Sequence, residues 1–145
     1  MDLDVKFRRV AENASVPCYG SVDAAGMDLC STTEVVIKPN ETVKIGTGVA
    51  FAIPSGFGGF VFARSGLATK EGLAPANKVG VIDSDYRGEV IVALHNHSCE
   101  DRLVTVGERI AQLVIMPVYH ANLIECESLD DTERGAGGFG STGTN

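Results

Sequence analysis

Apolar residues in this chain gather in short runs closed by glycine, proline or asparagine, with no long segment at helical spacing. Val35-Val36-Ile37 stops at Pro39-Asn40, a turn signal. Val43-Lys44-Ile45 and Val49-Ala50-Phe51-Ala52-Ile53 follow and end at Pro54-Ser55-Gly56. Further runs are Gly59 to Ala63, Glu89 to Leu94, and Ile110 to Met116 before Pro117. Short β-branched and aromatic runs between such breaks predict an all-β sandwich or barrel. The one helical turn expected lies over Ser65 to Lys70, where a serine precedes Leu67-Ala68-Thr69-Lys70.

The chain has 145 residues, the size of one domain, and 44% of them are hydrophobic. A formal net charge of -7 speaks against broad phosphate-backbone binding, so no nucleic-acid partner is expected. A small anionic ligand stays open, because a few arginines, backbone N–H groups and a divalent metal can hold a triphosphate. The charged N-terminus does not read as a signal peptide, and no apolar run reaches membrane-spanning length. Cys18, Cys30, Cys99 and Cys126 form no C-x-x-C pair and read as reduced thiols. The expectation is a cytoplasmic protein, or a nuclear one if the source is eukaryotic or viral, that does not act at a membrane.

The most informative stretch runs from Gly80 to Gly88 and reads Gly-Val-Ile-Asp-Ser-Asp-Tyr-Arg-Gly. Strand-like runs flank Asp83 to Gly88, which predicts a hairpin with a loop longer than two residues. A hairpin offers backbone donors and acceptors at fixed spacing, able to read the edge of a base. Asp83 at its mouth could take a proton from water, or could be a turn aspartate bonded to its own backbone. Arg64-Ser65-Gly66 opens the expected helical turn and reads either as an anion site or as a serine cap beside a solvated arginine. Asp28, in Gly26-Met27-Asp28-Leu29, could hold a metal directly or through water, or serve a turn.

Gln112 lies in a largely apolar strand and needs a partner, either a ligand, a neighbouring subunit or a core hydrogen bond. His95 and His97 share one face of a strand end and read as surface or interface histidines. The last thirteen residues, Glu133 to Asn145, contain five glycines. Such a segment cannot bury enough apolar surface to fold alone. Arg134, Phe139, Ser141 and Thr142 interleaved with that glycine would also suit a flap gripping a phosphate and a base.

Taken in order, these segments resemble the five motifs of the trimeric dUTPase family. The motifs read here as Ala25 to Leu29, Arg64 to Gly66, Asn77 to Gly88, Gly107 to Gln112, and Arg134 to Gly143. The third and fifth are the specific ones. The resemblance implies an all-β, jelly-roll-like sandwich over residues 1–132, assembled as a homotrimer with active sites between subunits. It makes residues 133–145 a flexible flap that closes over the site.

The activity implied is hydrolysis of dUTP to dUMP and diphosphate at the α-phosphorus, limiting uracil in DNA and supplying dUMP for dTTP synthesis. Asp83 would orient and deprotonate the attacking water. Tyr86 would lie against the deoxyribose and refuse a 2′-hydroxyl. Asn77 and backbone groups around Val81, Ile82 and Ile91 would read the uracil edge. Arg64, Ser65, Gly66 and Gln112 would hold the phosphates, and Asp28 would position Mg²⁺ through water. Phe139 would stack on uracil, with Arg134, Gly140, Ser141 and Thr142 on the outer phosphates.

Two stretches depart from the family's usual pattern: Glu71 to Ala76, and Ala63 before Arg64. They bear on loop geometry. A dCTP deaminase shares the architecture but needs a glutamate base near C4 and lacks the Asp83–Tyr86 constellation. A non-catalytic nucleotide-binding trimer would leave Asp83 and the flap without a reason to occur together.

Overall fold

A computed structural model of the protein describes residues 3–138. Eleven strands appear among them: β1 (Lys6–Arg9), β2 (Cys18–Tyr19), β3 (Met27–Cys30), β4 (Val35–Ile37), β5 (Thr42–Ala52), β6 (Phe57–Phe62), β7 (Leu73–Pro75), β8 (Gly80–Ile82), β9 (Glu89–Asn96), β10 (Arg102–Val104) and β11 (Arg109–Pro117). They form a four-stranded sheet β1-β5-β9-β7, a five-stranded sheet β2-β3-β11-β6-β8, and a β10-β4 ribbon, antiparallel throughout. This is the all-β, jelly-roll-like sandwich expected.

Alternation along β9 shows why the sheets pack. Val90, Val92 and Leu94 are buried while Ile91 is exposed, the period-2 pattern of a strand with one face inward. They meet Ile45, Val49, Leu29, Ile110 and Leu113 in one continuous core. Asn96 is fully buried and satisfied: its amide nitrogen donates to the Ile37 and Glu100 carbonyls at 2.9 and 2.8 Å, and its oxygen accepts from Ser98. It ties β9 to the ribbon.

Three sequence expectations change. The two runs at Val43 and Val49 are one strand, β5, and Thr47-Gly48-Val49 is a bulge within it rather than a break. The expected hairpin over Gly80 to Leu94 is not a paired hairpin: β8 pairs with β6 in one sheet, and β9 pairs with β5 and β7 in the other. β9 gains a longer ladder from β5 than the three residues of β8 could offer it. The helical turn is there, over Leu67–Glu71, but Gly66 occupies its cap and no side chain caps it. Ser65 instead accepts a bond at its carbonyl from the Thr69 hydroxyl, at 2.7 Å.

His95 and His97 lie with ring centroids 4.3 Å apart, and Thr42 Oγ1 is 2.8 Å from His95 Nδ1. Partial desolvation, and then the His95 and Lys78 charges, push the His97 pKa down.

Candidate active site

The failure of β8 and β9 to pair creates the pocket. β8 is the last strand of its sheet, so its outer backbone groups have no neighbouring strand. β7 covers β9 only from Leu94 to Asn96, leaving Glu89 to Val92 without a strand on that side. Between these two edges lies a cavity of ≈ 250 Å³ lined by Asn77, Val81, Ile82, Asp83, Tyr86 and Ile91, with Val61, Gly80 and the rest of Glu89 to Ala93. Six residues expected at the base, sugar and water are thus brought together. Val81 and Ile91 expose 64% and 53% of their surface, apolar walls lacking a cover.

Asn77 is set by a tight turn. Ala76 N–H donates to the Ala93 carbonyl, Val79 N–H donates to the Asn77 carbonyl, and Lys78 takes a φ of 65°. The Asp83 to Glu89 loop is braced in several ways. Tyr86 N–H donates to the Asp83 carbonyl at 3.1 Å, and the Tyr86 hydroxyl donates to the Glu89 carbonyl at 3.0 Å. Arg87 Nη1 donates to the Ser84 and Tyr86 carbonyls at 2.6 and 3.0 Å.

A second cluster stands on the five-stranded sheet. Register aligns Cys18, Asp28 and Gln112 across β2, β3 and β11, so their side chains share one face. Asp28 Oδ1 accepts from Arg64 Nε at 3.0 Å, and Oδ2 accepts from Arg109 Nη1 at 3.2 Å. Arg64 also donates to the Arg109 carbonyl. Gln112 Nε2 donates to the Ala63 carbonyl at 2.9 Å, the core hydrogen bond that was one of the readings open for it. Its other end faces Gly26, where a Cβ would stand 2.7 Å from Gln112 Oε1. Ser65 and Gly66 are exposed beside Arg64.

Asp28 is therefore neither a turn aspartate nor a free metal ligand: it lies in β3 between two guanidinium groups. Each carboxylate oxygen keeps a lone pair for water. Among the described residues no group of three or more His, Cys, Asp or Glu could hold a metal. A single carboxylate with lone pairs open to water fits an ion that keeps much of its hydration, as Mg²⁺ does, and Asp28 is the residue that would hold it. Burial pushes the Cys30 thiol pKa up; a Ser15 hydrogen bond opposes this and the Asp28 charge adds to it.

The two clusters do not meet within one chain. Ile82 pairs with Gly59, so Asp83 stands level with Gly58, six residues before Arg64. At strand rise that is about 20 Å. Arg134 is exposed, and its Nε donates to the Gly137 carbonyl within the tail at 2.8 Å. Phe139, Gly140, Ser141 and Thr142 lie outside the described residues. Sequence reasoning missed Arg109 and Glu89; alternation from Gln112 along β11 does not reach Arg109, because a register shift intervenes.

The sequence model of the dUTPase family matches residues 12–143. The chain belongs to the dUTPase family. Among its curated relatives is the deoxyuridine 5′-triphosphate nucleotidohydrolase of Nautilia profundicola, 52% identical over 141 residues, covering 97% of this chain and 99% of the relative. The enzyme of that name from Helicobacter pylori is 43% identical, covering 97% of each. Among solved dUTPases, a mutant from Staphylococcus bacteriophage 80alpha with dUpNHpp superposes at a TM-score of 0.87, with 30% identity over 97% of this chain and 99% of that one. A mutant dUTPase of phage phi11, described as coordinating a structural Mg(II) ion, gives 0.83 at 26% identity, covering 89% of this chain and 100% of that one.

Proposed function

We propose that the protein hydrolyses dUTP to dUMP and diphosphate, with water attacking the α-phosphorus. The observation that carries this is the pocket between the free edges of β8 and β9, with Asp83 and Tyr86 in its lining. Its unpaired backbone groups suit the edge of uracil, with Asn77 beside them. Cytosine inverts donor and acceptor there, and each unpaired buried group costs about 1–3 kcal/mol. Val81 and Ile91 cover the faces of the base, and Tyr86 lies against C2′ of the sugar. Asp83 takes the proton of the attacking water.

Arg64, Ser65, Gly66 and Gln112 hold the phosphates. Asp28 keeps the Arg64 and Arg109 guanidiniums in place and would accept hydrogen bonds from water around Mg²⁺. When bound, that ion neutralises charge on the triphosphate. The separation of Arg64 from Asp83 supports a homotrimer in which one subunit's phosphate cluster faces another's base pocket. Residues 1–132 form the body and residues 133–145 the flap, with Arg134, Gly140, Ser141 and Thr142 on the outer phosphates and Phe139 on the base. Bacterial relatives support a cytoplasmic place, where the reaction limits uracil in DNA and supplies dUMP for dTTP synthesis.

Turnover in ¹⁸O-water tests the point of attack. Label in dUMP is expected; label in diphosphate would mean attack at the β-phosphorus and would remove Asp83 from its role.

A further inference from the structure

The bulge in β5 is held by a residue that also holds Tyr86. Gly46 pairs with Ile91 and Ala50 pairs with Glu89, so Thr47, Gly48 and Val49 all stand against Val90. Side chains replace the ladder bonds lost there. Thr47 Oγ1 donates to the Val90 carbonyl at 2.6 Å, and Gly48 N–H donates to Glu89 Oε1 at 2.7 Å. The seat of that carboxylate is cut to measure: a Cβ at Gly46 would stand 2.6 Å from Glu89 Oε1, and Gly48 has a φ of +69°. Bulges beside sites commonly re-aim the neighbouring strand.

At its backbone end Glu89 accepts the Tyr86 hydroxyl. That phenol also lies against Gly88, where a Cβ would collide with it. One residue thus joins the bulge of β5 to the ring that borders the sugar, at the point where β9 enters the pocket wall.

We propose that Glu89 is a positioning residue for sugar discrimination, its carboxylate fixing the start of β9 so that its carbonyl fixes the Tyr86 ring. The inference rests on the dUTP-hydrolysing reading above. Without the carboxylate, Gly48 N–H loses its partner and the first residue of β9 is held to β5 only by its backbone pairing with Ala50. Tyr86 then has a movable anchor, and a 2′-hydroxyl meets a wall that can yield. A merely structural role would lower dUTP and UTP turnover in proportion, through less folded enzyme, and leave their ratio alone.

The test is kcat/KM for dUTP and for UTP in the wild type, Glu89→Ala and Glu89→Gln, with folding checked by circular dichroism. The dUTP-to-UTP ratio is expected to fall roughly ten- to hundredfold in Glu89→Ala, the scale of a small misplacement in a site. Glu89→Gln, whose amide oxygen can accept the same N–H, keeps the ratio near the wild-type value. If Glu89→Ala does not fold, Glu89→Asp, which draws the carboxylate back by one methylene, is expected to lower the ratio in its place. An unchanged ratio in the folded variant, or a glutamine variant as impaired as alanine, overturns the proposal while leaving the hydrolase reading intact. A wild type that does not turn over dUTP overturns both.

Discussion

Asp83 and Arg64 stand at opposite ends of β6, about 20 Å apart, although the reaction proposed above places both at one substrate. Neither can swing that far, because β11 pairs with β6 from Phe57 to Phe62 and β8 pairs with it from Gly59 to Val61. The distance is a property of the sheet, and a second copy of the chain is the simplest way to close it.

Complementation follows from that distance. Arg64→Ala and Asp83→Asn are each expected to lose nearly all dUTP hydrolysis. Unfolding them together and refolding the mixture returns activity, since about a quarter of the sites then draw both wild-type residues from different subunits. A mixture as inactive as its parts would place both residues in the same chain's site and break the shared-site account.

Gly26 gives a second expectation, on packing. A methyl there meets Gln112 at 2.7 Å from Oε1 and 3.1 Å from Cβ, so Gly26→Ala must displace Gln112 and its bond to the Ala63 carbonyl. A loss of about 1–3 kcal/mol in urea denaturation is expected, with a raised KM for dUTP. Gly20→Ala is the control: nothing lies within 4 Å of a Cβ there, and its stability is expected to stay within about 0.5 kcal/mol of wild type.

The thiols should differ in reactivity. Cys18, Cys99 and Cys126 are exposed, while Cys30 is only partly so. Burial raises the Cys30 pKa, so less of the reactive thiolate is present at a given pH, and raising the pH recovers it. With a chromogenic disulfide near pH 8, three thiols are expected to react quickly and Cys30 last. Peptide mapping that finds Cys30 labelled first contradicts the burial described.

The strands that were legible in sequence are those whose apolar residues face a core. Ile45, Val92, Leu94, Ile110 and Leu113 are almost wholly buried and sit in runs that the pattern marked. β1 was not legible, because Lys6 to Arg9 are all exposed and pair with β5 through a backbone ladder on which Phe7 meets Phe51, ring centroids 6.2 Å apart. β3 was hidden by Asp28, whose charge reads as a turn until Arg64 and Arg109 are placed around it. For the site, local sequence marked Asp83, as a base or a turn aspartate, and the family resemblance added Tyr86, but neither showed that β8 and β9 belong to different sheets. Neighbouring strands joined by a short loop suggest a hairpin, and only the competing ladders with β6 and β5 decide otherwise. Glu89 was invisible for a related reason: its partner, Gly48, is 41 residues away.

The most direct test is diphosphate release by the wild type and Asp83→Asn, offered dUTP, dTTP, dCTP and UTP, with and without Mg²⁺. Release from dUTP far faster than from the other three, dependent on the metal and abolished by the substitution, is the predicted result. If dUTP binds but nothing is released, or Asp83→Asn releases diphosphate as fast as the wild type, then Asp83 is not the base and the reaction proposed for this pocket is wrong.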